Sequence, residues 1–178
     1  MKLDTILVPV DGSDLAESAL PKAADLARTS GARLLLLRAA EAHTVPGVDP
    51  TAEQVKVVAE AETYLARLVE ELHAAGLERV EPSVWYGPPA YAIVEAVRFY
   101  HVDLIVMTTH GRSGLGRLVL GSVAESVLRG TRTPILLLRA PEAPVAAPPV
   151  RRDRSSALVG PWGPTGVRGV ACRPGGCQ

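Results

Sequence analysis

Residues 103–129 read DLIVMTTHGRSGLGRLVLGSVAESVLR. The opening residues, DLIVMTT (103–109), are strongly apolar, the composition of a strand covered on both faces. Residues 110–121 carry Gly111, Gly114, Gly116 and Gly121 and lead into a helix over about 122–129. Ser122 and Glu125 are spaced as a capping box for that helix. A buried strand that feeds a glycine-rich turn and then a helix is a building unit of a parallel α/β sheet.

The flanking sequence repeats the alternation. Residues 3–9 (LDTILVP) read as a buried strand, followed by Asp14 and Glu17 as an acidic capping pair. Leu15, Ala19, Leu20, Ala23, Ala24 and Leu26 then recur at helical spacing, with Pro21 expected to remove one backbone bond and bend the helix. Gly31 ends it, and residues 33–39 (RLLLLRA) give a second strand. Residues 51–75 predict a long amphipathic helix with Val55, Val58, Ala59, Ala61, Leu65, Leu68, Val69 and Leu72 on its apolar face, stopped by Gly76. Residues 79–86 (RVEPSVWY) contain Pro82, which cannot donate to a central ladder, so this strand belongs at an edge. A helix over 89–100 and a last strand over 134–139 (PILLLR) complete the pattern. Five strands alternating with four helices specify a parallel sheet with helices on both faces. Such sheets bind ligands beyond the carboxyl ends of the strands, where the winding direction reverses.

The chain has 178 residues, 47% hydrophobic and 21% charged, which excludes wholesale disorder. Its composition breaks near Ala140. Residues 141–178 hold 7 Pro and 6 Gly without hydrophobic periodicity, too little apolar surface to offset the entropy of ordering. The expected organisation is a domain at 1–140 and a disordered Pro/Gly-rich tail at 141–178. Cys172 and Cys177 fall in the tail and are too few for a disulfide framework or a metal centre. Removing the tail after Ala140 is expected to move the melting temperature by only a few degrees; a large loss would show that the tail packs on the domain.

Net charge is zero overall, with 14 Lys+Arg against 17 Asp+Glu in residues 1–140. A slightly acidic body lacks the basic face that nucleic-acid phosphates require, so no nucleic-acid partner is expected. No apolar run approaches the roughly 20 residues of a membrane helix. The N-terminal MKLDTILVPVDGS carries no secretory pattern. The expectation is a soluble, cytoplasmic chain without a membrane partner.

The glycine-rich segment fails two familiar phosphate motifs. Gly111 to Gly116 imitates the start of a Walker loop, but Arg117-Leu118 replaces the required Lys and hydroxyl residue. Gly114-x-Gly116 imitates a dinucleotide fingerprint, yet Val119 stands at its third small position, and the segment follows the wrong strand. What remains is backbone that a ligand can approach closely, ahead of a helix N-terminus whose unpaired amides attract phosphate.

Three blocks carry a more specific signal: LVPVDGSDLAESAL near the start, the 103–129 segment, and TPILLLR at 133–139. Their order and spacing over residues 1–140 resemble the universal stress protein family, in its ATP-binding branch. That branch has the pattern Gly, two residues, Gly, nine residues, Gly then Ser or Thr. Gly111 and Gly121-Ser122 fit it, and Thr108 stands in place of the first glycine. The resemblance implies an adenine nucleotide alpha hydrolase-like fold with strand order 3-2-1-4-5. It implies ATP as ligand, with Mg2+ as the accompanying counter-ion. It places the adenosine end against Pro9, Val10, Asp11, Ala39, Met107 and Thr108. The phosphates would lie among Gly111, Arg112, Gly114, Gly121, Ser122 and Val123. On the residues alone, Asp11 also reads as a turn residue, Met107 as core filler and Ser122 as a plain helix cap.

No catalytic constellation is legible. His110 borders the loop without an orienting partner, and His43, His73 and His101 have no metal-ligand spacing. Beside a stress-response protein acting through ATP-dependent conformation or partner contacts stand two other readings, a nucleotide-independent interaction protein and a slow ATPase. Members of the family also imply a homodimer through the last strand. Ile135, Leu136, Leu137 and Leu138 form an uncharged apolar run that nothing in the sequence blunts as a sheet edge.

Overall fold

A computed structural model describes residues 2–41, 50–109 and 121–139, all within the compact unit Met1–Val145. The tail expectation and both cysteines lie outside the described residues. The elements, in chain order, are β1 (Thr5–Pro9), α1 (Asp14–Glu17), α2 (Leu20–Ser30), β2 (Arg33–Ala40), α3 (Pro50–Ala74), β3 (Val80–Tyr86), α4 (Pro89–Phe99), β4 (Leu104–Thr108), α5 (Ser122–Gly130) and β5 (Ile135–Leu138). The strands form one parallel sheet in the order β3-β2-β1-β4-β5. Pro82 indeed lies on the edge strand β3.

Alternation along each strand divides the core into two layers. Ile6, Val8, Leu34, Leu36 and Val106 face α2 and α3, and meet Ala23, Ala24, Ala27, Leu65 and Leu68. The small alanines of α2 let that helix lie close to the sheet. Leu7, Leu35, Leu37, Ile105 and Met107 face the other way, against Ile93, Ala96 and Val97 of α4 and Ala124 and Val127 of α5. Helices α4 and α5 approach so closely that a Cβ on Gly130 would lie 2.7 Å from a Val94 methyl carbon. No described helix is long and apolar enough to cross a membrane.

Three local expectations are corrected. The first helix is capped by Ser13 rather than by an Asp14–Glu17 pair: Ser13 Oγ accepts from the Ala16 amide at 3.2 Å. Pro21 does not bend a continuous helix. The chain breaks into α1 and α2, with Ala19 as the second N-cap and Pro21 in the first turn of α2, where no donor is required. In α3 the apolar stripe outruns the sheet: Ala61, Leu65, Leu68 and Leu72 are buried, whereas Val55 is 65% exposed. A helix of 25 residues is longer than the strands it covers, so among the described residues its first turns run past the core cluster.

Candidate functional site

The order β3-β2-β1-β4-β5 puts the reversal of winding between β1 and β4, which pair through Ile6↔Leu104 and Leu7↔Ile105. Beyond their carboxyl ends the two chains diverge, one to α1 and the other toward α5. The gap between them is a cleft of about 290 Å³. One wall follows β1, whose extension is held by the Val10 amide donating to the Leu37 carbonyl at 2.8 Å. The opposite wall is pinned where the Gly121 amide donates to the Thr109 carbonyl at 2.7 Å.

Nine of the residues named from the sequence line this cleft: Pro9, Val10, Asp11, Ala39, Met107, Thr108, Gly121, Ser122 and Val123. Gly111, Arg112 and Gly114, with His110, lie outside the described residues. The cleft also takes in residues the sequence reading passed over: Ala16, Leu37, Pro89, Ile93, Thr109 and Ala124. Pro89 and Ile93, four apart on α4, share one face of that helix. Their spacing was visible, but only the sheet order reveals that α4 overhangs this end of β2.

The chemistry of the lining is divided. Most of it is apolar, and among the described lining residues no side chain is cationic. Asp11 supplies a carboxylate, and its position is fixed locally. Its Oδ1 accepts from Ser13 Oγ at 2.6 Å and from the Ser13 amide at 3.0 Å. Across the cleft, α5 begins with Gly121 as N-cap, and the Glu125 amide donates to the Gly121 carbonyl at 2.9 Å. The expected Ser122–Glu125 capping box is therefore corrected. Ser122 is the first residue inside the helix, and Glu125 pairs with Arg129 at 2.7 Å. The amides of Ser122, Val123 and Ala124 lie in the helix's first turn, where no carbonyl within the helix can accept from them and the backbone carries partial positive charge. The cleft thus offers apolar walls, a carboxylate that accepts from amino or hydroxyl groups, and a helix N-terminus suited to an anion. Among the described residues no group of three or more His, Cys, Asp or Glu side chains is placed to hold a metal.

Fold and cleft together define an open, doubly wound α/β protein with a cleft at its switch point. The family model for universal stress proteins matches residues 2–139, and the chain belongs to that family. A universal stress protein of Thermus aquaticus is 37% identical over 139 residues, covering 76% of this chain and 98% of the relative. The solved structure of UspA from Lactobacillus plantarum shares the fold, with a TM-score of 0.69 at 24% identity over 78% of this chain and 99% of that one. A universal stress protein solved in complex with cAMP is 28% identical, with a TM-score of 0.55, over 79% of this chain and 99% of that chain.

Proposed function

We propose that the chain binds an adenine nucleotide, ATP foremost, in the switch-point cleft, and acts in the stress response through conformation or partner contacts. The observation that carries this reading is the opposition of Asp11 and the α5 N-terminus across an apolar gap. A purine fits the apolar walls, its amino group or the ribose hydroxyls can donate to Asp11, and phosphates are attracted to the helix amides. Mg2+ would accompany the triphosphate as its counter-ion. The family relative solved with cAMP supports an adenine-containing ligand. Heat release from the purified protein, followed by chromatography of the supernatant, tests the reading. ATP or another adenine nucleotide near one equivalent supports it. Ligand-free protein that also shows no affinity at millimolar ATP overturns it in favour of a nucleotide-independent interaction protein.

The same reading includes a homodimer through β5. This strand pairs with β4 through Ile105↔Ile135 to Thr108↔Leu138 and ends the sheet, and all four of its residues are only half-buried. Pairing with the same strand of a second copy would satisfy its outer backbone groups and cover Ile135, Leu136, Leu137 and Leu138. Light scattering at micromolar concentration is expected to give twice the chain mass, and Leu137→Lys to shift the population toward monomer while retaining the folded circular dichroism spectrum. A wild-type monomer mass would reject the dimer.

A further inference from the structure

Behind the loop that carries Asp11 stand residues that do not line the cleft. On β2, Leu34 and Leu36 face α2 and α3. Arg38 continues that row, and its guanidinium carbon lies 4.4 Å from the centre of the Tyr64 ring on α3. On its other side the guanidinium meets Gly12. A Cβ built on Gly12 would lie 3.1 Å from Arg38 Nη1, 3.6 Å from Nη2 and 3.7 Å from the guanidinium carbon. Gly12 has a φ of +84°, a conformation glycine adopts without strain.

Tyr64 is itself tied to the same loop. Its hydroxyl donates to Glu17 Oε1 at 2.8 Å, and Arg67 Nη2 donates to the same oxygen at 3.0 Å. Burial, reinforced by the Glu17 carboxylate, holds the Tyr64 phenol well above its ordinary pKa, so it remains a donor. Glu17 ends α1, α1 starts from the Ser13 cap, and Ser13 is bonded to Asp11. Residues 11–17 thus adjoin Arg38 at Gly12 and are bonded to Tyr64 and Arg67 at Glu17.

We propose that Arg38, backed by the Tyr64 ring, is a positioning residue that presses on the Gly12 turn and sets the direction of the Asp11 carboxylate into the cleft. A guanidinium suits the task because it is flat, permanently charged and broad enough to cover a glycine with one part while stacking on a ring with another. Its effect on ligand rests on the nucleotide reading above; its effect on the turn does not.

Two measurements on the full chain separate these layers. In the unliganded protein, hydrogen exchange of the Ser13 and Ala16 amides reports the turn directly. Arg38→Met is expected to speed both by about tenfold while the β1 amides keep their protection. In the second, Arg38→Met weakens AMP and ATP by the same factor, roughly five- to tenfold, because the phosphate end is untouched. Arg38→Lys, which keeps the charge but not the flat fork, recovers only part of that loss. Tyr64→Phe, which keeps the ring behind Arg38 but loses the bond to Glu17, falls between wild type and Arg38→Met, whereas Tyr64→Leu, which loses both, is at least as weak as Arg38→Met. Unchanged exchange at Ser13 in Arg38→Met overturns the proposal, as does wild-type nucleotide affinity in a variant whose turn has loosened. Faster exchange in a protein whose wild type binds no nucleotide upholds the brace and refutes the nucleotide reading instead.

Discussion

Replacing Gly121 with valine is expected to weaken ATP binding by about ten- to a hundredfold while leaving the protein folded. Gly121 lines the cleft and is the N-cap of α5, with φ −58° and ψ 148°, a backbone that valine can adopt. The fold therefore loses only about 1 kcal/mol from a poor N-cap residue. In the proposed pose the ligand would meet a branched side chain where the backbone approaches phosphate, and overpacking of that kind costs about 1–3 kcal/mol, a range that brackets the fold-change stated. Calorimetry decides it, with a thermal melt as the check on folding. Wild-type affinity in folded Gly121→Val would place the phosphates elsewhere. Gly121→Ala, with a single added carbon, should fall between the two.

The largest stability effect is expected in the middle of the sheet. Leu7 on β1 is fully buried, lies opposite Leu35 in the β1–β2 ladder, and belongs to the layer under α4 and α5. Flanked by β2 and β4, it sits where neighbours are least able to collapse into a void. Leu7→Ala should cost about 3–4 kcal/mol, lowering the melting temperature by roughly 10 °C. Val55→Ala is the contrasting case: that valine is 65% exposed on α3, and its loss should stay within about 0.5 kcal/mol. Equal melting temperatures for the two variants would contradict the assigned core.

Sequence predicts nine elements where the described structure has ten, and the difference separates what local sequence encodes from what it does not. β4 and β2 were legible because continuous apolar runs such as LIVMT and LLLL can be satisfied only between two covered faces. Pro82 located the edge strand because proline removes a ladder donor wherever it stands. The errors fell at helix ends. Ser13 against Asp14, and Gly121 against Ser122, differ by one position in sequence, and neighbouring residues compete for the same unpaired amides. In sequence Pro21 reads as a kink because its surroundings are helical on both sides. Whether the chain bends or restarts depends on where Ala19 and Leu20 must be buried against the sheet.

For the site, the division is similar. The sequence by itself determined the parallel α/β class, the glycine-rich approach to α5, and, through resemblance, the family and nine residues that gather in the cleft. It determined these because periodicity, proline and capping chemistry act within a few residues of the chain. Only the tertiary structure decided that Pro89 and Ile93 of α4 join the cleft, that the first turns of α3 stand clear of the core, and that Arg38 reaches Gly12 while Tyr64 reaches Glu17. Those contacts join residues 26 and 47 positions apart. No local rule brings such residues together; the order of strands and the face each helix covers do.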